Sequence, residues 1–466
     1  MQNNHTETTA RPIAIGELVT RVRGPVFRPG DDGYDTELAG FQTALRHRPT
    51  VVVGATDAAD VQAAVRFAAD HGLPVAVQAT GHGLAVPAEG GVLVSTRRMT
   101  RVRVDPQTRT AWVEAGACWE PVITEAARHG LAPLSGSSPQ VGAVSYTLNG
   151  GLGLLARRYG YAADHVRALD LVTADGRRHR VTPDGDPELF WALCGGPGGL
   201  GVVTALEIGL VPVDRLYGGG LYFDATAAHR VLTAWREWTD TVPEELTSSV
   251  AFVPYPDVPE VPEEMRGRYV AHVRIAFTGD PETGERLVAP LRTAGPLLRD
   301  TLGELPYTAS GSICHDPTQP HPYRGDGVVL RDLDAATAEE LLGLTGPGAP
   351  GMCVVQAYHL GGALARPPAV PNAVAYRDGW YLVRVLWVGD PGLSAAVETT
   401  HRRALAALEP QALGRALRFT MGWSDAERVR AAYPPDDLAR LARVKATHDP
   451  GNVFRFTHAV PPADQR

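Results

Sequence analysis

Lysine is almost missing from this sequence. Of 44 basic side chains in 466 residues, one is a lysine, Lys445, set in Arg-Val-Lys-Ala-Thr near the C-terminus. A pyridoxal enzyme needs a lysine for its Schiff base, and a phosphate-binding P-loop needs Gly-Lys-Ser/Thr. Lys445 stands in neither setting, which excludes both classes. Cysteine is scarce as well. Cys118, Cys194, Cys314 and Cys353 are scattered, with no Cys-x-x-Cys. That spacing fits neither a zinc site nor a disulfide framework, so no metal is expected and the four read as free thiols in a reducing cytoplasm. No apolar run approaches the roughly 18 residues of a membrane span, and Met1 to Pro12 lacks the apolar stretch of a secretory signal. A cytoplasmic protein without a membrane partner is expected. The net charge is −8 and no basic face is visible, so no nucleic-acid partner is expected either.

Glycine and proline are plentiful, at 50 and 38, without any strict period, and 44% of the residues are hydrophobic. Collagen and disorder are therefore excluded, and the length suits two or three domains. Residues 1–45 read as an arm of little periodicity. An α/β pattern then starts. Pro49 to Gly54 reads as a strand, Thr56-Asp57 can cap a helix closed by Gly72, and Leu73 to Val77 reads as the next strand. Short strands follow at 91–94, 101–104 and 110–114, then a helix over Trp119 to His129. From about Tyr217 the texture changes to amphipathic helices (225–238, 335–344, 393–408) alternating with strands (269–277, 352–360, 380–388), the pattern of a sheet covered by helices. A helix over Asp436 to Ala446 precedes Asp449-Pro-Gly-Asn-Val-Phe-Arg455.

Gly196-Pro-Gly-Gly-Leu-Gly201 matches G-x-G-x-x-G by letter and fails on context. A helix-like stretch precedes it and the strand-like Val202 to Ile208 follows, the reverse of a dinucleotide fingerprint. Two other glycine stretches suit a ligand better. In Thr80-Gly-His-Gly83, glycines on both sides of His82 let backbone approach a ligand closely, and consecutive amides can form an anion nest. Residues 137–153 hold four glycines and several hydroxyls with almost no charge, which can line a path along a flat, extended ligand. Tight turns between short strands would look the same. His315 and His321 lie in a Pro-rich loop without a third metal ligand nearby.

These segments together resemble, in the right order, the FAD-linked oxidases of the berberine bridge enzyme type, within the vanillyl-alcohol oxidase superfamily with its PCMH-type FAD-binding domain. Val77 to His82 resembles the flavin-attachment loop, Val113 to Ala117 the next FAD-contacting strand end, and Gly136 to Gly142 with Leu148 to Leu154 the loop around the isoalloxazine. Tyr159 to His165, Glu188 to Thr204 and Asp449 to Arg455 continue the match over nearly the whole chain. The resemblance implies an α+β fold: a bilobal FAD-binding domain of two α/β subdomains (46–215), a substrate domain with an antiparallel sheet covered by helices (216–430), and a C-terminal segment returning to the FAD domain (431–466).

The resemblance also implies cofactor contacts from Gln78, Thr80, Gly81, His82, Gly83, Leu84 and Gly116. Further contacts would come from Ser138, Val141, Gly142, Tyr146, Gly150, Gly151, Gly153, Tyr161, Gly201, Val203 and Asn452. It implies that His82 bonds covalently to the flavin 8α-methyl carbon, chemistry that a neutral imidazole suits. Three departures from the family pattern matter. Ser138 stands where many members carry a second, cysteinyl link, so attachment through one histidine is expected. Asp437-Leu438 replaces the Asn-Tyr pair whose tyrosine serves as base in alcohol-oxidising members. Arg366 stands near where plant members carry a glutamate base. Tyr146, Tyr358, His359 and Tyr376 are the remaining candidates for a proton-handling group. The function implied is oxidation of a small organic substrate, a secondary metabolite in an actinomycete setting such as antibiotic biosynthesis, with O2 as acceptor and hydrogen peroxide as product. Two alternatives stay open at this point: an oxygenase or oxidative cyclase acting on a polyketide, and a flavin-bearing protein that only binds a ligand.

Overall fold

The computed structural model describes residues 15–389 and 394–463. Three sheets organise the chain. The first has four strands, β1 (Val26–Phe27), β2 (Val51–Gly54), β3 (Val75–Gln78) and β4 (Val92–Ser95), in the order β1-β2-β4-β3. β2, β4 and β3 run parallel, as their β-branched sequences and the intervening helix Ala58–Asp70 require. Asp57 caps that helix by accepting the backbone N–H groups of Ala59 and Asp60. The expected arm is not loose from residue 15 onward. Helix Ile15–Arg21 packs on helix Ala58–Asp70 through the buried Leu18, and β1 pairs with β2. Residues 1–14 lie outside the described residues.

The second sheet has five antiparallel strands, β5 (Val102–Asp105), β6 (Thr110–Glu114), β7 (Val166–Val172), β8 (Arg178–Val181) and β9 (Val202–Gly209), ordered β5-β6-β9-β7-β8. The G-x-G-x-x-G look-alike sits between helix Pro187–Leu193 and β9, the reverse of the dinucleotide arrangement, as its context indicated.

The third sheet is antiparallel with nine strands: β10 (Arg215–Asp224), β11 (Leu246–Pro254), β12 (Tyr269–Phe277), β13 (Leu297–Asp300), β14 (Gly303–Pro306), β15 (Tyr323–Leu330), β16 (Met352–His359), β17 (Tyr381–Val388) and β18 (Ala412–Arg415). Its path runs β13-β10-β12-β11-β16-β17-β15-β18, with β14 beside β10. Strand residues alternate between faces, and here the two faces differ in chemistry. One buries Val250, Phe252, Val273, Ile275, Val355, Val383, Val385 and Trp387 under helices Ala228–Thr239, Ala335–Thr345 and Ala395–Leu408. The other carries His272, Arg274, Gln356, Tyr358 and Arg384, aligned across the sheet by the register Arg274–Ser249–Tyr358–Leu382 and His272–Ala251–Gln356–Arg384. This polar face looks at the first lobe. Ala276, Val329 and Leu382 from it share one core with Ala143, Leu152 and Leu206 of the residues that carry and flank the second sheet. The α+β architecture implied by the sequence is therefore the observed one: two smaller α/β units, and an antiparallel sheet with helices on its far face.

Candidate active site

β3 ends in Gln78, whose amide donates to the Leu38 carbonyl and whose Oε1 meets His47. That anchorage fixes the loop that follows. Gly81 takes φ +71°, and a Cβ there would stand 2.6 Å from the Cα of Gly40, so the position requires glycine. Gly83 has open space where a Cβ would be. His82 sits between them. Its ring stacks on Phe41 at 4.0 Å, its Nδ1 hydrogen bonds the Thr80 hydroxyl at 2.8 Å, and its carbonyl accepts from the Tyr323 hydroxyl at 2.5 Å. Burial pushes its pKa down to about 4, which the nearby Asp316 carboxylate opposes. The imidazole is thus neutral at neutral pH, the state in which it is a nucleophile.

Thr80 links this loop to the glycine-rich segment, since its hydroxyl accepts the Gly142 N–H at 3.3 Å. In that segment Ser137 donates to Asp316 at 2.5 Å, while the Ser138 hydroxyl is turned to its own backbone at Gln140. Gly136, Gly151 and Gly153 have a particular use: a Cβ at each would fall 2.6–2.9 Å from the Tyr146 side chain. They form a slot for that ring, and the Tyr146 hydroxyl is buried in it without a partner among the described residues. Gly116 and Gly201 are required by close backbone approaches, to the Thr96 and Val172 carbonyls respectively.

An extended dinucleotide fits these residues. Val77, on the apolar face of β3, is 42% exposed. The backbone of β3 is bonded to Val453 by the Val75 N–H, and beside it the buried Oδ1 of Asn452 has no partner among the described residues. An apolar flank beside an open glycine turn, and an orphaned acceptor near the start of the same strand, suit an extended ligand with flat rings and hydroxyls. Val141, Gly142 and Gly150 continue the same loop. Leu84 keeps a backbone role, its carbonyl accepting the Gly422 N–H, and Tyr161 lies under the guanidinium groups of Arg377 and Arg418. Val203 is buried in β9. A groove of about 410 Å³ lies elsewhere, between Asp57–Ala59 and the outer face of the second sheet. Within it Arg101 pairs with Glu114 and Arg180 with Asp170 and Glu207, and it holds none of the residues above.

The four candidates for proton handling separate. Tyr358 lies on the polar face of the third sheet among Arg274, Arg384 and Asp316, its ring stacked on Phe419 at 5.2 Å. Burial raises its pKa to about 12, so its hydroxyl stays protonated and donates. His359, one residue on, points to the other face. There its Nδ1 meets the Arg157 guanidinium at 3.0 Å, and burial beside that cation drives its pKa to about 2. Tyr376 is anchored away from this face by its hydroxyl on the Ala431 carbonyl, and Tyr146 is enclosed in its glycine slot. Arg366 is exposed and paired with Glu244.

Asp316 was not among the sequence candidates. It lies just after the short helical segment Tyr307–Ile313, bonded to Ser137 and 3.9 Å from Arg274. Its charge acts on His82, Tyr323 and Tyr358 alike. Asp326, a buried aspartate of β15, is held on the helix side by His401 and Arg428. The only sequence signal for Asp316 is a lone acid in a Pro- and His-rich loop, which has no periodicity to place it.

The chain is similar to known flavin-dependent proteins. Residues 49–182 match the FAD binding domain family, and residues 412–461 match the family described as berberine and berberine like. The (R)-6-hydroxynicotine oxidase of Paenarthrobacter nicotinovorans is 28% identical over 456 residues, covering 95% of this chain and 97% of that protein. The crystal structure of 6-hydroxy-D-nicotine oxidase from Arthrobacter nicotinovorans superposes with a TM-score of 0.83 at 26% identity, over 95% of this chain and 98% of the other. Xylooligosaccharide oxidase from Myceliophthora thermophila shares the fold, with a TM-score of 0.85 at 20% identity over 97% and 100% of the two chains. No helix among the described residues is long and apolar enough to cross a membrane, and no group of side chains among them could hold a metal ion.

Proposed function

From the premise that this chain is an FAD-linked oxidoreductase of the berberine bridge enzyme type, we propose that it is an oxidase whose flavin is attached through His82 alone and whose substrate is a small organic molecule bound between the flavin and the third sheet. The observation that carries this reading is the setting of His82. It is a half-buried, neutral imidazole between two glycines, stacked on Phe41, held at its carbonyl by Tyr323 and within the field of the Asp316 carboxylate. Bound FAD supplies the two-electron acceptor that takes hydride from the substrate and returns the electrons to O2 as hydrogen peroxide. Phe41 and Thr80 hold the His82 ring in place. Gly81, Gly83 and Gly142 let backbone amides approach the cofactor. Asp316 accepts the substrate proton, with the Arg274 guanidinium 3.9 Å from it. Tyr358, protonated, donates a hydrogen bond to the substrate. Ser138 offers no second link.

The nicotine and oligosaccharide oxidases are relatives, and the polar face of this chain carries two arginines, Arg274 and Arg384. A secondary-metabolite role accords with the arginine-rich composition, and a cytoplasmic location with the four free cysteines; both belong to the same proposal. The test is anaerobic mixing of the purified yellow protein with candidate substrates, followed by admission of O2. The expected result is loss of the visible flavin band, then its return with one hydrogen peroxide per substrate. Product carrying label from 18O2 would instead indicate an oxygenase, and a colourless protein would remove the flavin reading altogether.

A further inference from the structure

Two guanidinium groups on the polar face lack the partners that buried cations need. Arg274 is 7% exposed. Its Nε donates to His272 at 3.2 Å, and its terminal nitrogens find one carboxylate oxygen, of Asp316, at 3.9 Å. That distance is long for an ion pair, and Asp316 is already committed to Ser137 at 2.5 Å. Arg384 is half-buried beside the Phe419 ring, 5.6 Å from its centroid, and its Nε is buried unpaired. Among the described residues it has no carboxylate in reach. The face therefore carries two cations against one shared anion. A buried cation without a counter-charge is costly, and the cost disappears when a ligand supplies the charge.

The geometry favours a planar oxygen anion. Arg384 stands opposite Gln356 on β16, and Arg274 opposite Ser249 on β11, the strand between β12 and β16. Ser249 and Ala251 are short, which leaves room between the flanking long side chains. A guanidinium presents a rigid fork that matches carboxylate or enolate oxygens. The Tyr358 hydroxyl lies near both arginines and adds a third donor. Arg384 also lies near Tyr323, whose hydroxyl is bonded to the His82 carbonyl, so an anion held there sits beside the flavin-attachment loop. We infer that the substrate is an organic anion, whose carboxylate or enolate is held by Arg384 with Arg274 and Tyr358 while its reacting carbon faces the first lobe. This rests on the oxidase reading above and specifies its substrate class.

The test titrates benzoate, and benzamide as its neutral isostere, into the purified flavin-bearing protein by calorimetry. Wild type should bind benzoate at least about tenfold more tightly than benzamide, the effect of one charge-assisted hydrogen bond. Arg384→Gln should lose at least about tenfold in benzoate affinity and leave benzamide unchanged, and Arg384→Lys should recover part of the loss. Benzoate that binds no better than benzamide, or not at all, overturns the inference. So does an Arg384→Gln protein with wild-type benzoate affinity. If Arg384→Gln fails to fold, the wild-type comparison and Arg384→Lys still decide. The visible spectrum of the same samples reports the flavin separately: a colourless protein that still discriminates benzoate would remove the oxidase reading and keep the anion site.

Discussion

Replacing Lys445 with methionine is expected to remove about 3–5 kcal/mol of stability, the cost of leaving one member of a buried ion pair alone. The lone lysine of the chain sits on helix Pro435–His448, 3% exposed at its side chain. Its ammonium donates to Asp449 Oδ2 at 2.6 Å, to the Gly199 carbonyl at 2.6 Å and to the Phe454 carbonyl at 3.2 Å. Asp449, fully buried, also accepts the Val453 and Phe454 N–H groups. The two residues thus pin the C-terminal segment to the glycine turn before β9. Methionine fills the volume and strands the carboxylate. Arginine should rescue poorly, because a planar fork does not match three oxygens gathered around one compact nitrogen. Chemical denaturation followed by tryptophan fluorescence checks the effect. A Lys445→Met protein with the wild-type midpoint would show that the clamp contributes nothing.

That clamp was half legible in the sequence. The absence of other lysines excluded two enzyme classes, and Lys445 lay outside both contexts, but its three oxygens come from segments separated by up to 246 residues, and no local pattern announces such a meeting. The same divide runs through the rest. Strands and helices with clear periodicity, such as Tyr269–Phe277 and Ala335–Thr345, stand where the pattern put them. Residues 15–45 have weak periodicity and fold because β1 and the buried Leu18 find partners later in the chain. At the site, the His82 loop was legible because glycines flank a histidine. Tyr358 and His359 were not separable, because adjacent strand residues face opposite sides and only the register shows which side meets the flavin lobe. Arg274 and Arg384 did leave a signal: each interrupts an apolar strand, which is the mark of a buried polar group with a task.

Asp316→Asn is expected to lower kcat by about 10²–10⁴-fold, the range for loss of a positioned general base. Asparagine keeps the size of the side chain and can still accept from Ser137, so the loop should hold and the flavin spectrum should stay unchanged. It cannot take the substrate proton. Because Asp316 acts on the reacting bond, kcat should fall with little change in KM. Tyr358→Phe should do less, since it removes a donor and leaves the base in place. The measurement is steady-state peroxide formation across pH with a substrate identified by flavin reduction. A kcat for Asp316→Asn close to wild type would move the base elsewhere.

Intact-mass spectrometry of the acid-denatured protein tests most directly whether one histidine carries the cofactor. Wild type is expected to exceed the mass of its polypeptide by one FAD, with the flavin surviving acid precipitation, and His82→Ala is expected at the bare polypeptide mass. Wild type at the bare mass, or an FAD adduct that persists in His82→Ala, would contradict the account.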